Sequence, residues 1–152
     1  MFPKMRQFKL IRIQHIIFNK KSNHNSAIDN ITMINLIWRT KIMVHKMKLW
    51  NDSFEMIKSG YKTIEMRLND EKRTLIRIGD TIEFTNTSTN EVLSCVVTNL
   101  YKYSSFDELY LHHDKKSIGY LENEIANPKD MLVYYSQENI DKYGVLGIEV
   151  KI

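Results

Sequence analysis

The run EVLSCVVTNLYKY, residues 91–103, constrains the fold more than any other segment. Successive side chains of a strand point to opposite faces. This run is apolar enough on both faces to be a central strand. Shorter alternating segments stand on either side of it in sequence. HKMKLW (45–50) sets Met47 and Leu49 on one side of His45, Lys46 and Lys48. KTIEMRL (62–68) alternates as a strand, and IGDTIEF (78–84) leaves a Gly79–Asp80 turn through Ile82 and Phe84. NTSTN (86–90) reads as a hairpin loop, and VLGIEVKI (145–152) puts Leu146, Ile148, Val150 and Ile152 on one face.

Small helices separate these strands. NDSFEMIKSG (51–60) has Asp52 placed to cap it, Glu55 three residues later as in a capping box, and Gly60 to stop it. Its buried face is Phe54 and Ile57. Ser105 and Glu108 form a second capping box for SFDELYLHH (105–113). Asn127 caps a segment that opens with Pro128 and runs to Tyr135, and Ser136 starts QENIDKY, closed by Gly144. Five or six short strands with interspersed helices predict an α+β domain whose sheet curls or closes into a small barrel.

The regular pattern begins at Met43. Residues 1–42 contain no glycine, nine isoleucines and five asparagines, and their apolar residues follow no sustained period. A short strand at 8–16 and an apolar run at 31–38 flank the polar linker NKKSNHNS (19–26). This segment is expected to be an irregular extension, with Met43 as the physiological start. The charge divides at the same place. Residues 1–42 carry eight Lys and Arg against one acidic residue, while residues 43–152 carry 14 against 17, a net −3. A domain that bound nucleic acid mainly by neutralising phosphates would have a basic excess. Any such binding by residues 43–152 therefore relies on a local site. Cys95, the only cysteine, lies in an apolar run and is expected in the core, which fits a reducing cytoplasm. No apolar run approaches a membrane span.

GYKTIEMR (60–67) concentrates charge where a strand starts. Thr63, Glu65 and Arg67 share one face of the strand; Ile64, Met66 and Leu68 share the other, toward the core. Residues two apart lie roughly 6.6 Å apart along a strand, so Glu65 and Arg67 can meet one ligand or each other. One reading is a solvated Glu–Arg pair, worth only about 0–1 kcal/mol. The other is a polar cleft. There Arg67 offers a bidentate fork to phosphate or a base carbonyl, Glu65 accepts from a base amino group, and Lys62 supplies a charge or a base.

Lys62-Thr63-Ile64-Glu65-Met66-Arg67, after Gly60 and before Gly79-Asp80, resembles the signature of the ASCH domain family. The similarity takes in His45-Lys46-Met47-Lys48-Leu49, Tyr134-Tyr135-Ser136 and Tyr143-Gly144-Val145-Leu146-Gly147-Ile148, and so covers about residues 43–152. It implies a PUA-like β-barrel of five to six strands with helices at its side, and a cleft lined by the helix-to-strand motif. It also implies binding of RNA, a nucleotide or a nucleoside. Lys62, Glu65, Arg67 and His45 would then be the ligand-binding residues. Some family members hydrolyse the acetamide of N4-acetylcytidine with a lysine, a threonine three residues later and a distant glutamate. Lys62 matches that lysine, but the threonine position is Glu65, and Thr63 is out of register. Glu122 and Glu124 are candidates for the distant glutamate. If the protein is an enzyme, Lys62 and Glu65 are its expected catalytic pair.

No cofactor is expected, since no Gly-rich phosphate loop occurs. His112-His113-Asp114 is not read as a metal site, because adjacent histidines on a helix diverge by about 100°. Among Tyr101, Tyr103, Tyr134, Tyr135 and Tyr143, most are expected to pack in the core rather than stack on bases. The ordering of functions is an RNA- or nucleoside-binding module first, a hydrolase of a modified nucleoside or of RNA second, and a protein-interaction domain third.

Overall fold

A computed structural model describes residues 41–152. Expectations for residues 1–40 lie outside the described residues. Five strands form one curled sheet, a half-barrel. They are β1 (Val44–Leu49), β2 (Ile64–Leu68), β3 (Thr81–Asn86), β4 (Val92–Tyr103) and β5 (Val145–Lys151), in the order β1-β3-β4-β5-β2. The long apolar strand β4 is central, but the expected burial on both faces holds on one side only in its first half: Cys95 and Val97 are buried, whereas Val92 and Val96 are exposed. Its register slips between Val97 and Asn99, the kind of irregularity that bends a strand and tightens a sheet's curl. β1 and β3 run parallel; all other neighbours are antiparallel.

Three helices connect them: α1 (Asn51–Lys58), α2 (Phe106–His112) and α3 (Gln137–Tyr143). Their caps follow the sequence signals with one exception. The Ser105 hydroxyl accepts from the Glu108 amide, and the Ser136 hydroxyl from the Asn139 amide. In α1 the expected Asp52 cap is not made. The helix begins two residues earlier, directly after β1, with Trp50 at its cap position and no side-chain cap bond. Asn51, at its first turn, accepts instead from the side chain of Asn86. Residues 128–135 were expected as a helix, and Pro128–Val133 form a tighter 3₁₀ segment, with Asn127 accepting from the Lys129 amide as its cap. Asn86, expected as the first residue of the hairpin loop, is instead the last residue of β3 and fully buried. There its carbonyl oxygen accepts from the Ser88 and Thr89 amides.

The sheet separates two apolar clusters, and the alternation of β5 shows why. Leu146, Ile148 and Val150 face inward onto Phe54, Ile82, Phe84 and Val97, while Val145 faces the other side with Phe106, Leu109 and Ile140. The second cluster covers the outer face at the β2–β5 end, while the outward residues of β1 and of the first half of β4, Val92 and Val96 among them, are exposed. Ile152, expected on the inward face, lies beyond the strand and is exposed. Cys95 is buried, and burial pushes its thiol up to about 11.

Gly144 ends α3 and starts β5 with φ +68°. A Cβ there would sit 2.8 Å from the Tyr103 carbonyl oxygen, a backbone atom that cannot swing aside. Gly60, after α1, also has positive φ (+76°) but has open space around it. Gly60→Ala is expected to cost about 1–2 kcal/mol from backbone strain alone. Gly144→Ala adds a steric clash and should cost about 2–4 kcal/mol. Urea denaturation of both variants checks the order; equal losses would show that the Tyr103 contact relaxes freely.

Candidate functional site

β2 lies at one edge of the sheet and β1 at the other. Register decides where the charges of β2 go. Ile64, Met66 and Leu68 join the cluster around α2, as expected. Glu65 pairs with Ile148 and Arg67 with Leu146, so both point to the inward side, beside the open edge of the half-barrel. Neither stands on a solvated strand face. Glu65 is 4% exposed and Lys62 6%.

The three charged groups meet. Lys62 Nζ donates to Glu65 Oε2 at 2.8 Å, and Arg67 Nε lies 2.7 Å from Glu65 Oε1. The second contact is charge pairing rather than a straight hydrogen bond. Arg67 Nη2 donates at 2.8 Å to the carbonyl of Lys48 in β1. One guanidinium thus ties together the two strands that leave the half-barrel open. Lys62 precedes the strand itself: its amide donates to the Met56 carbonyl, so it still belongs to the exit of α1. Lys62 Nζ is also 3.4 Å from Ser53 Oγ on α1.

Burial alone would raise the pKa of Glu65. The charges of Lys62 and Arg67 outweigh it, and the carboxyl is held below its ordinary value of 4.5. Burial would likewise lower the pKa of Arg67, but Glu65 reverses the sign. Two cations against one anion leave the group with one excess positive charge.

This group forms the floor of a cleft of about 730 Å³. Ser53, Met56, Met131 and Tyr135 line it, and so do Gly119 and Tyr120. The rim carries apolar surface in contact with water: Trp50 is 67% exposed, Val133 84% and Tyr134 58%. A tyrosine network adds a polar wall. Tyr110 and Tyr120 hydroxyls lie 3.0 Å apart, and Tyr120 donates to Asp130 at 2.8 Å. Burial, first of all, raises the pKa of Tyr110.

Other sequence candidates are placed elsewhere. His45 shares the inward face of β1 with Met47 and Leu49 and pairs through Nε2 with Asp80 at 2.8 Å. It does not line the cleft. Its partner Asp80 also accepts from the Met43 and Arg77 amides, which makes this a satisfied structural pair. Glu124 lines the cleft and Glu122 does not. Tyr134 and Tyr135 line it, whereas Tyr101 binds Glu149 and Tyr103 stacks on His112. His112 and His113 are engaged with these rings, and among the described residues no cluster suits a metal ion. Trp50, Ser53 and Gly119 carried no signal in sequence periodicity. They reach the cleft because β1 turns straight into α1 and because the 115–120 turn folds back onto Lys62.

The depressed Glu65 pKa fixes the sign of a pH effect. The folded state holds fewer protons than the unfolded state near and below pH 4.5, so stability rises with pH in that range. The contribution is complete above that value and is lost as pH falls through the folded pKa. Asp80, also depressed from its ordinary value of 3.8, acts in the same direction at lower pH. Glu65→Gln leaves two buried cations without their anion. It should cost about 3–5 kcal/mol at pH 7 and flatten the acid limb of a urea-midpoint profile. An unchanged acid limb in Glu65→Gln would mean that the triad does not titrate as a unit.

The family model of the ASCH domain matches residues 47–152. Among solved structures, the chain is similar to the protein PH0355, with 32% identity over 72% of this chain and 98% of that one, and a TM-score of 0.62. It is also similar to PF0455 from Pyrococcus furiosus, with 31% identity, 72% and 96% coverage, and a TM-score of 0.56. No curated protein matches the chain. With its half-barrel and a family match spanning more than half of its length, this chain belongs to the ASCH domain family.

Proposed function

We propose that residues 43–152 are a binding module for an RNA base, a nucleotide or a nucleoside, held in the cleft above Lys62, Glu65 and Arg67. ASCH domains have a PUA-like fold often proposed to bind RNA. The observation that carries the reading is the combination of a polar floor with exposed aromatic rings above it. Trp50 and Tyr134 are exposed at the rim while Lys62 and Glu65 are buried beneath. Flat heterocycles are held in this way, by stacking on their faces and by hydrogen bonds at one edge. The excess positive charge on the floor suits a ring carbonyl or a single anionic group.

Charge argues for recognition of the base rather than the backbone. The cleft is lined by Asp52, Glu65, Glu124 and Asp130 against Lys48, Lys62 and Arg67. A phosphate chain gains little from a lining with more carboxylates than cations.

The hydrolase reading comes second. Ser53 supplies a hydroxyl near Lys62, but the Lys62 amine is already engaged by the buried Glu65 carboxylate at 2.8 Å. A lysine acting as a base must lose its proton. Incubation with N4-acetylcytidine decides: release of acetate, lost in Lys62→Ala, would move this reading to first place.

Binding is tested by calorimetry with cytidine, uridine and short single-stranded RNA. Trp50→Ala or Tyr134→Ala should each weaken binding by about 1–3 kcal/mol with little change in melting temperature, since both rings are exposed. If Lys62 and Arg67 touch phosphate, the log–log salt slope should be about −1.4 for a single strand, and near zero if only the base is held. Affinities untouched by both ring deletions would remove the cleft from consideration.

A further inference from the structure

The turn that covers Lys62 is built around a bare backbone. Gly119 has φ +98°, and a Cβ on it would lie 2.9 Å from Lys62 Cδ and 3.5 Å from both Cγ and Cε. The turn is fastened on both sides of Lys62. The Ser117 carbonyl accepts from the Thr63 and Ile64 amides, the Tyr120 carbonyl accepts from the Tyr61 hydroxyl, and Lys116 Nζ sits 5.1 Å over the Tyr61 ring. Ile118 is buried beside Gly119 and anchors the turn in the core. The neighbours of Lys62 are therefore held, and its four-carbon stem runs through the slot left by the missing side chain. A lysine stem free in water samples many rotamers; here the slot limits it to the path that ends on Glu65.

We propose that Gly119 is a positioning residue for the cleft: its missing side chain makes room for the Lys62 stem and so fixes the ammonium on Glu65. The positive φ is a separate reason for glycine here, and the two reasons differ in one respect. Backbone strain does not depend on what residue 62 is, whereas the slot matters only when the stem is present. The consequence for ligand affinity rests on the proposed function; the placement of the ammonium does not.

Gly119→Ala is made in the full chain, alone and together with Lys62→Ala, which keeps the Glu65–Arg67 pair. Three properties are read: the urea midpoint, the pH titration of the Lys62 Cε resonance in ¹³C-lysine protein (assigned by its loss in Lys62→Ala), and cytidine affinity. Gly119→Ala alone is expected to lower the midpoint clearly further than it does in the Lys62→Ala background. It should also shift the Lys62 titration and weaken cytidine binding about ten-fold, while adding no loss of affinity on top of Lys62→Ala. A variant that unfolds alone and folds with Lys62→Ala supports the same conclusion. Equal midpoint losses in both backgrounds with an unmoved Lys62 titration, or unfolding in both, would show that only the turn conformation needs glycine, and would overturn the proposal. Absence of cytidine binding by the unsubstituted protein would count against the proposed function, while the midpoint and titration still decide the role of Gly119.

Discussion

A carboxylate buried between two cations organises this domain. Glu65 holds Lys62 on one oxygen and Arg67 on the other, and Arg67 reaches across to the backbone of β1. Removing two or three charges from water is expensive, and buried ion pairs are often no more stabilising than apolar groups of the same shape. Stability alone gives no reason to put charge here. The position explains it better: the triad lies where the half-barrel is open, so the charges are buried by the fold yet border the cleft.

The same arrangement links the fold to the site through very few elements. β1 ends at Leu49, and Trp50 follows at once as the cap of α1. That abrupt passage puts an exposed ring at the rim and Ser53 next to the floor. The exit of α1 then delivers Lys62, β2 delivers Glu65 and Arg67, and the 115–120 turn covers the lysine stem. Most of the floor is thus supplied by one continuous stretch, Trp50 to Arg67, with the opposite wall provided by Met131, Tyr134 and Tyr135. Trp50 from the first stretch and Val133 and Tyr134 from the distant segment are all exposed among the lining residues.

Elements specified by local chemistry were legible in the sequence. The two-faced apolar pattern of residues 91–103 marks the central strand, Ser105, Asn127 and Ser136 mark segment starts, and the alternation of residues 145–151 assigns sides correctly. The meeting of Lys62, Glu65 and Arg67 was legible from strand periodicity together with the glycine before them. What failed depends on contacts between distant segments. Asp52 does not cap α1: the helix starts straight after β1 at Asn51, whose side chain accepts from Asn86, 35 residues away. His45 resembled a cleft residue, but Asp80, also 35 residues distant, takes it for the structure. Gly119 and Trp50 have no periodic signature at all; their importance comes from what the folded chain brings against them.

The lone cysteine offers a vantage on all this. Cys95 sits in the first half of β4, 1% exposed, with its thiol kept protonated by burial. Thiolate is the form that reacts with alkylating agents and oxidants, so the folded domain is inert to them. Its sulfur becomes available only when the central strand is uncovered. The rate at which an added thiol reagent consumes Cys95 therefore serves as a built-in clock for opening of the half-barrel, with no label or engineered residue required.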